Sequence, residues 1–177
     1  GTGHRGGGGL TKMPLIVGME GTGIITAVGK GVKDLKAGDR IAYGSGPPGA
    51  YTEERVMPAW LGVKIPKSIS DEVGASMMLK GMTAQVLLRR TYKVRKGTVV
   101  VVHAAAGGVG SILVQWALHL GAQVIAVVGS DAKATTVRAM GCKDVLVQGR
   151  DDLAARVREL TGGQGAHVVY DSVGKDT

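Results

Sequence analysis

The sequence predicts an α/β chain of two parts, a small irregular β-rich region followed by a parallel sheet with helices on both faces. Three observations carry that reading. Up to about residue 70, short β-branched or apolar runs alternate with Gly, Pro and Asp punctuation. From residue 98 onward, strand-like runs alternate with segments whose apolar residues recur every three or four positions. The nearly all-valine run Thr98–His103 suits a strand buried on both faces.

Taken in order, Gly23–Val28 and Asp39–Tyr43 are the first strands. Ser70 can cap a helix whose first turn holds Asp71 and Glu72, both favoured at the positive end of the helix dipole, and this helix joins the two parts. After the strand Thr98–His103, Val109, Ile112, Leu113, Trp116, Ala117 and Leu120 form one helical stripe, which Gly121 stops. The unit then repeats as strand Gln123–Val128, helix Asp131–Met140, strand Asp144–Val147, helix Asp151–Leu160 and strand His167–Asp171. Such alternation predicts right-handed crossovers over a parallel sheet. The division falls into residues 1–80 and 81–177, and Gly6–Gly9 reads as a flexible loop.

Composition excludes several classes. With 44% hydrophobic and 20% charged residues, 177 residues can bury a real core, so disorder is excluded as the main state. Thirty glycines with only five prolines and no three-residue period exclude a collagen-like chain. One cysteine excludes an internal disulfide framework and a multi-cysteine zinc site, and points to a reducing compartment. No apolar run approaches the roughly 20 residues that cross a bilayer, and a cytoplasmic chain is expected. Of the net charge of +8, residues 1–97 carry 15 Lys/Arg against 7 Asp/Glu, and residues 98–177 carry 7 against 7. The densest run, Arg89, Arg90, Lys93, Arg95 and Lys96, reads as a solvated helix end and loop rather than an RNA patch, since the six aromatics leave few stacking platforms.

The chemistry-bearing segment is Val99–Gly110, which leads from strand into helix. It matches the dinucleotide fingerprint with Ala105 in the first glycine position, followed by Gly107 and Gly110. Gly107 would let the backbone approach a pyrophosphate, and Gly110 would let helix and strand pack closely. The N–H groups of Gly108 and Val109 would face the phosphate oxygens. At the end of the second strand of this sheet, where an NAD-preferring site places an acid, the chain has Gly129 and Ser130, with Asp131 one step late. Lys133 falls in the first helical turn, where a cation is unfavourable unless an anion lies nearby. A 2′-phosphate is such an anion, so NADPH is favoured; the alternative is a solvated lysine.

The strings His103–Gly110, Lys80-Gly81-Met82-Thr83 and Tyr170-Asp171-Ser172-Val173-Gly174, with Gly38-Asp39-Arg40, Gly49-Ala50-Tyr51 and Thr161-Gly162-Gly163, resemble the quinone oxidoreductase (zeta-crystallin) branch of the medium-chain dehydrogenase/reductases. The resemblance implies a partial GroES-like β-rich domain followed by a partial Rossmann sheet of about four strands, with cofactor and substrate between the domains. It implies pyrophosphate contacts at Gly107, Gly108 and Val109, and 2′-phosphate contacts at Gly129, Ser130 and Lys133. Ser172 and Val173 would lie along the cofactor, and Thr83 near its nicotinamide end. Gln148 and Val86 stand where relatives commonly carry tyrosines, the former near the adenosine. Alcohol dehydrogenases of this fold hold zinc through Cys and a Gly-His-Glu segment, whereas the matching stretch here is Gly18-Met19-Glu20, and no metal is expected. The sole cysteine, Cys142, reads as a buried small apolar residue.

The resemblance implies a zinc-independent NADPH:quinone oxidoreductase and, by itself, a homodimer. Family members are longer, so the chain is expected to be incomplete at both ends, with the last strand as an open edge. The substrate loop of relatives corresponds to the start Gly1–Gly6, so no catalytic residue is named. An NADPH-dependent alkenal or enoyl reductase and a non-catalytic RNA-binding or crystallin-like protein stay open beside it.

Overall fold

Three short antiparallel strands, β1 (Gly21–Ile24), β2 (Arg40–Tyr43) and β3 (Val63–Lys64), build the first unit in the order β1-β2-β3 of the computed structural model, which describes residues 15–174. The sequence segments Gly1–Gly6 and Gly6–Gly9 lie outside the described residues. β1 ends at Ile24, short of the expected Val28, because Ile24 faces Arg40 and β2 begins there. The pairing survives one step further through the Ile25 N–H, which donates to the Asp39 carbonyl at 3.0 Å, before the chain turns back. Lys64 of β3 pairs with Asp39 at 2.9 Å, and that hydrogen bond holds the Asp39 carboxyl below the usual carboxylate range.

Helix α1 (Asp71–Val86) starts where the sequence places it: the Ser70 hydroxyl accepts the Val73 N–H at 3.3 Å. Its entry is also pinned from β2, because the Arg40 guanidinium donates to the Ile69 carbonyl at 3.0 Å and to Asp71 Oδ1 at 2.6 Å. The chain divides into two compact units inside this helix, between Leu79 and Lys80.

In the second unit α1 widens into a π-turn over Leu87–Thr91, and four strands and three helices follow in alternation. They are β4 (Val99–Val102), α2 (Gly108–His119), β5 (Gln123–Val128), α3 (Asp131–Ala139), β6 (Asp144–Val147), α4 (Leu153–Leu160) and β7 (Val168–Tyr170). The sheet is wholly parallel in the order β6-β5-β4-β7, which is the third-second-first-fourth order of a partial Rossmann sheet. Side-chain alternation explains the valine run. Val100, Val102, Val124, Ala126 and Val128 pack with Leu88, Leu113, Val114, Ala117 and Val137 on one face. Val101, Ile125, Val127 and Leu146 pack with Leu153, Val157 and Leu160 on the other. Each fully buried Val or Ile contributes about 1.5–3 kcal/mol relative to exposure, so both faces must be covered.

The helix boundaries have local causes. Gly121, at φ 78°, ends α2 with its N–H on the Leu118 carbonyl. α4 begins at Leu153 rather than at the expected Asp151, because the two aspartates divide two tasks. Asp151 accepts the Val147 N–H at 2.6 Å and closes the turn after β6, while Asp152 caps the helix by accepting the Ala155 N–H at 3.1 Å. In the basic run Arg89, Arg90, Lys93, Arg95 and Lys96 are exposed, while Val94 between them is buried and its N–H donates to the Leu88 carbonyl at 3.0 Å. The run is a solvated helix end and loop, nailed down at its centre. No helix among the described residues is long and apolar enough to cross a membrane.

Cys142 is buried beside β5, its thiol donating to the Val124 carbonyl at 3.4 Å. Tyr170 ties β7 to the end of α1 by donating its hydroxyl hydrogen to the Leu87 carbonyl at 2.8 Å. Burial pushes both acids above their ordinary values of 9.0 and 10.0. The folded chain therefore keeps these protons longer than the unfolded chain does. The stability this gives is complete below the ordinary values and is lost as pH rises through the raised ones. Urea unfolding followed by circular dichroism should accordingly show a falling midpoint from pH 8 to alkaline pH. Tyr170→Phe should begin about 1 kcal/mol less stable for want of the hydrogen bond, yet fall less steeply; an equal slope would mean that Tyr170 titrates normally in the fold.

Candidate functional site

The end of β4 is held from both sides. The His103 N–H donates to the Tyr170 carbonyl of β7 at 2.9 Å, and the Ala105 N–H donates to the Val127 carbonyl of β5 at 3.1 Å. Between them the chain reverses at Ala104, whose φ of 48° makes it the one non-glycine among the described residues in the left-handed region. The sequence motif puts Ala105 in the first glycine position, but the structure places the left-handed residue one step earlier. Ala105 is instead fully buried in the core.

The Ala104 carbonyl then organises the start of α2. It accepts the Gly107 N–H at 2.8 Å. A Cβ at Gly107 would stand 3.0 Å from this oxygen, and a Cβ at Gly110 would stand 2.3 Å from it and 2.9 Å from the Ala105 Cα. Gly110 is thus required by contact between helix and turn. Gly107 and Gly108 are exposed and Val109 is half-buried. The N–H groups of Gly108 and Val109 lie in the first turn of α2, where no intrahelical carbonyl reaches them, so this is a cradle of backbone donors.

Sequence reasoning missed a side chain here. The Lys80 stem lies against Gly108, with Cδ and Cε 2.9 and 3.0 Å from where a Cβ would be. This brings a cation-bearing chain to the mouth of the cradle, and the signal was present in the Lys80-Gly81-Met82-Thr83 string. Thr83 follows three residues later on α1, exposed and on the same side of the helix.

At the end of β5, Gly129 has open space around its Cα, and the Ser130 hydroxyl caps α3 by accepting the Lys133 N–H at 3.4 Å. Lys133 and Asp131 are both exposed. Gln148, half-buried, continues the β5–β6 pairing by donating its N–H to the Val128 carbonyl at 2.9 Å. That brings the turn after β6 beside the loop after β5, and a second residue missed in the sequence arrives with it. Arg150 reaches Asp131 with 2.8 Å between Nη1 and Oδ1, a pairing that raises the guanidinium pKa still further and leaves a fixed positive charge. No sequence spacing could have signalled a contact between the starts of two different crossovers.

After β7, the Asp171 carboxylate accepts the N–H groups of Val173 at 2.7 Å and Gly174 at 3.4 Å, which curls the chain so that Ser172 and Val173 are exposed. The β4, β5, β6 and β7 ends, with Gly107, Gly108, Val109, Gly129, Ser130, Lys133, Gln148, Ser172 and Val173, all lie at the carboxyl edge of one parallel sheet. Ligands of open α/β sheets bind at this edge, where strand order reverses. The zinc question turns on Gly18-Met19-Glu20 in the first unit: the Glu20 carboxylate accepts the Leu79 N–H at 3.0 Å, and Met19 offers a thioether. Among the described residues no group of three or more His, Cys, Asp or Glu could hold a metal ion.

The two glycines at the start of α2 should respond oppositely to a methyl group. Gly110→Ala meets a backbone carbonyl that cannot move without moving the helix, and should cost about 1–3 kcal/mol or more, read as a drop in Tm. Gly108→Ala meets only the flexible Lys80 stem and should leave Tm almost unchanged. Equal losses would show that the helix start, not the Ala104 contact, limits stability.

Comparison with known proteins agrees with this geometry. Residues 2–67 match the family model described as alcohol dehydrogenase GroES-like domain, and residues 108–177 match that described as zinc-binding dehydrogenase. A 2-haloacrylate reductase from a Burkholderia species is 49% identical over 166 residues, covering 93% of this chain and 50% of that protein. A quinone oxidoreductase from Pseudomonas aeruginosa is 47% identical over 165 residues, covering 93% of this chain and 51% of that protein. The crystal structure of Escherichia coli quinone oxidoreductase complexed with NADPH superposes with a TM-score of 0.87 at 44% identity, covering 93% of this chain and 51% of that one. The chain spans about half the length of the curated relatives it matches. With both parts of the chain matched in order, and with a Rossmann sheet whose glycine turn has the required close contact, the chain belongs to the quinone oxidoreductase branch of the medium-chain dehydrogenase/reductase superfamily.

Proposed function

We propose that this protein binds NADPH at the carboxyl edge of its parallel sheet and uses it to reduce a quinone without zinc. One observation carries the reading. A glycine turn closed on the Ala104 carbonyl shares its sheet edge with a β5 end that bears Gly129 and Ser130 instead of an acid, followed by an exposed Lys133.

The backbone at Gly107, Gly108 and Val109 would hold the pyrophosphate, with the Lys80 stem alongside. Gly129 leaves room for the ribose, the Ser130 hydroxyl retains a hydrogen to donate while it caps α3, and the Lys133 ammonium supplies charge for a 2′-phosphate. Gln148 would flank the adenosine, Ser172 and Val173 would lie along the cofactor, and Thr83 would approach its nicotinamide end. The E. coli relative's NADPH complex supports the choice of cofactor.

When bound, NADPH supplies a hydride that, together with a proton, takes a quinone to its hydroquinone. The developing quinone oxyanion is intrinsically stabilised, so a Lewis acid is less needed than for an alcohol. The donor set agrees: Met19 stands in place of an imidazole, Glu20 is engaged by Leu79, and Cys142 is buried in the other unit. The single buried thiol also suits a reducing compartment, and a cytoplasmic location goes with this reading. A second acceptor class, an activated alkene, is favoured by the 49% identity to a 2-haloacrylate reductase, since hydride addition to a conjugated carbon uses the same cofactor geometry.

Two measurements test the reading. Lys133→Ala should weaken NADPH binding roughly ten- to a hundredfold and leave NADH nearly unchanged, and rising ionic strength should erode the wild-type preference. Equal losses for both cofactors would assign Lys133 to the fold or the pyrophosphate. NADPH oxidation with a 1,4-naphthoquinone but not with 2-chloroacrylate supports quinone reduction, and the reverse pattern replaces it with alkene reduction.

A further inference from the structure

Beside Lys133 lies a second cation that neither the sequence motif nor the resemblance assigns, and it is tied to the only acid in the first turn of α3. The turn after β6 is rigidly built. The Gln148 N–H is bonded to the Val128 carbonyl at 2.9 Å, the Asp151 carboxylate accepts the Val147 N–H at 2.6 Å, and the Arg150 N–H donates to the Val147 carbonyl at 3.2 Å. Arg150 is thereby held at the same sheet edge as the loop after β5, and its guanidinium crosses to Asp131, which stands between Ser130 and Lys133. Its remaining acidic neighbour is Asp151, with 3.8 Å between Nε and Oδ1.

The exposure of the pair decides what it can do. The side chains of Arg150 and Asp131 are 56% and 77% exposed, and ion pairs in that setting contribute little to stability. A structural role for the bridge is therefore weak. A phosphate dianion is a better partner for a guanidinium than one exposed carboxylate, because the planar fork can donate two parallel bonds to it. The bridge also keeps Asp131 occupied. Left unpaired in the absence of a 2′-phosphate, that carboxylate at the start of α3 could accept from a ribose hydroxyl, as the acid of an NAD site does.

We propose that Arg150 is a second determinant of cofactor selectivity: it holds Asp131 in the free protein and transfers its guanidinium to the 2′-phosphate when NADPH binds. This rests on the NADPH reading above and extends it to a residue on the neighbouring crossover. It makes Asp131 and Arg150 a coupled pair, with Asp131 opposing 2′-phosphate binding and Arg150 favouring it.

The test uses adenosine 2′,5′-bisphosphate and adenosine 5′-monophosphate as probes in calorimetric titrations of the full chain, so that it does not depend on turnover. Arg150→Ala should weaken the bisphosphate about tenfold or more and change the monophosphate less than twofold. Arg150→Lys, which keeps the charge but not the fork, should fall between. Asp131→Asn should strengthen the bisphosphate several-fold, and less so when combined with Arg150→Ala. Two outcomes overturn the proposal while leaving the NADPH reading intact: a silent Arg150→Ala against a wild-type preference that Lys133→Ala abolishes, or additive effects of the Asp131 and Arg150 changes. A wild type that does not prefer the bisphosphate at all overturns the NADPH reading and this proposal with it.

Discussion

β4 is an interior strand of the parallel sheet with register partners along both edges, Val102 standing opposite Ala126 of β5 and Tyr170 of β7. Because its last residues are bonded to both neighbours, the chain has no freedom to reverse gradually. The turn is made within Ala104–Gly107, and Ala104 takes a left-handed φ that costs a non-glycine residue about 1–2 kcal/mol. The ladders and the buried valines on both faces outweigh that cost. From this turn follow the position of the Ala104 carbonyl, the need for glycine at 110, and the outward aim of the first N–H groups of α2.

Charge acts in the molecule by position rather than by total. The excess of basic residues lies in the first part of the chain, and its densest run is a solvated helix end and loop anchored by Val94. The part of the chain that builds the parallel sheet, residues 98–177, carries no such excess. Local disposition nevertheless concentrates cations at its carboxyl edge, with Lys80 against the α2 start and Lys133 and Arg150 around the α3 start. Long-range field is screened within about 10 Å at ordinary ionic strength, so these few nearby charges outweigh the distant basic run in the local potential of this edge.

Neighbouring residues of the same chemistry are separated by geometry into different tasks. Asp151 closes a turn and Asp152 caps a helix, although either could do both from sequence alone. Asp131 opens α3 with favourable dipole placement but is bonded sideways to Arg150. Arg40 likewise spans from a strand to a helix entry, adding a tertiary anchor to the Ser70 cap.

The order of strands and helices in the second unit was legible from the chain, because apolar periodicity is a local record of which faces must be buried; the Val99–Val102 run and the α2 stripe are its plainest cases. The glycine turn and the missing acid after β5 were legible for the same reason, since both lie within a few residues of one strand end. Strand ends in the first unit were not, because β1 stops where β2 has no more residues to offer it. Nor was the placement of positive φ on Ala104 rather than Ala105, or the arrival of Lys80 and Arg150 at the site. Those depend on contacts between residues 19 to 67 positions apart, and only the closed sheet, by setting crossover ends side by side, brings them within bonding distance.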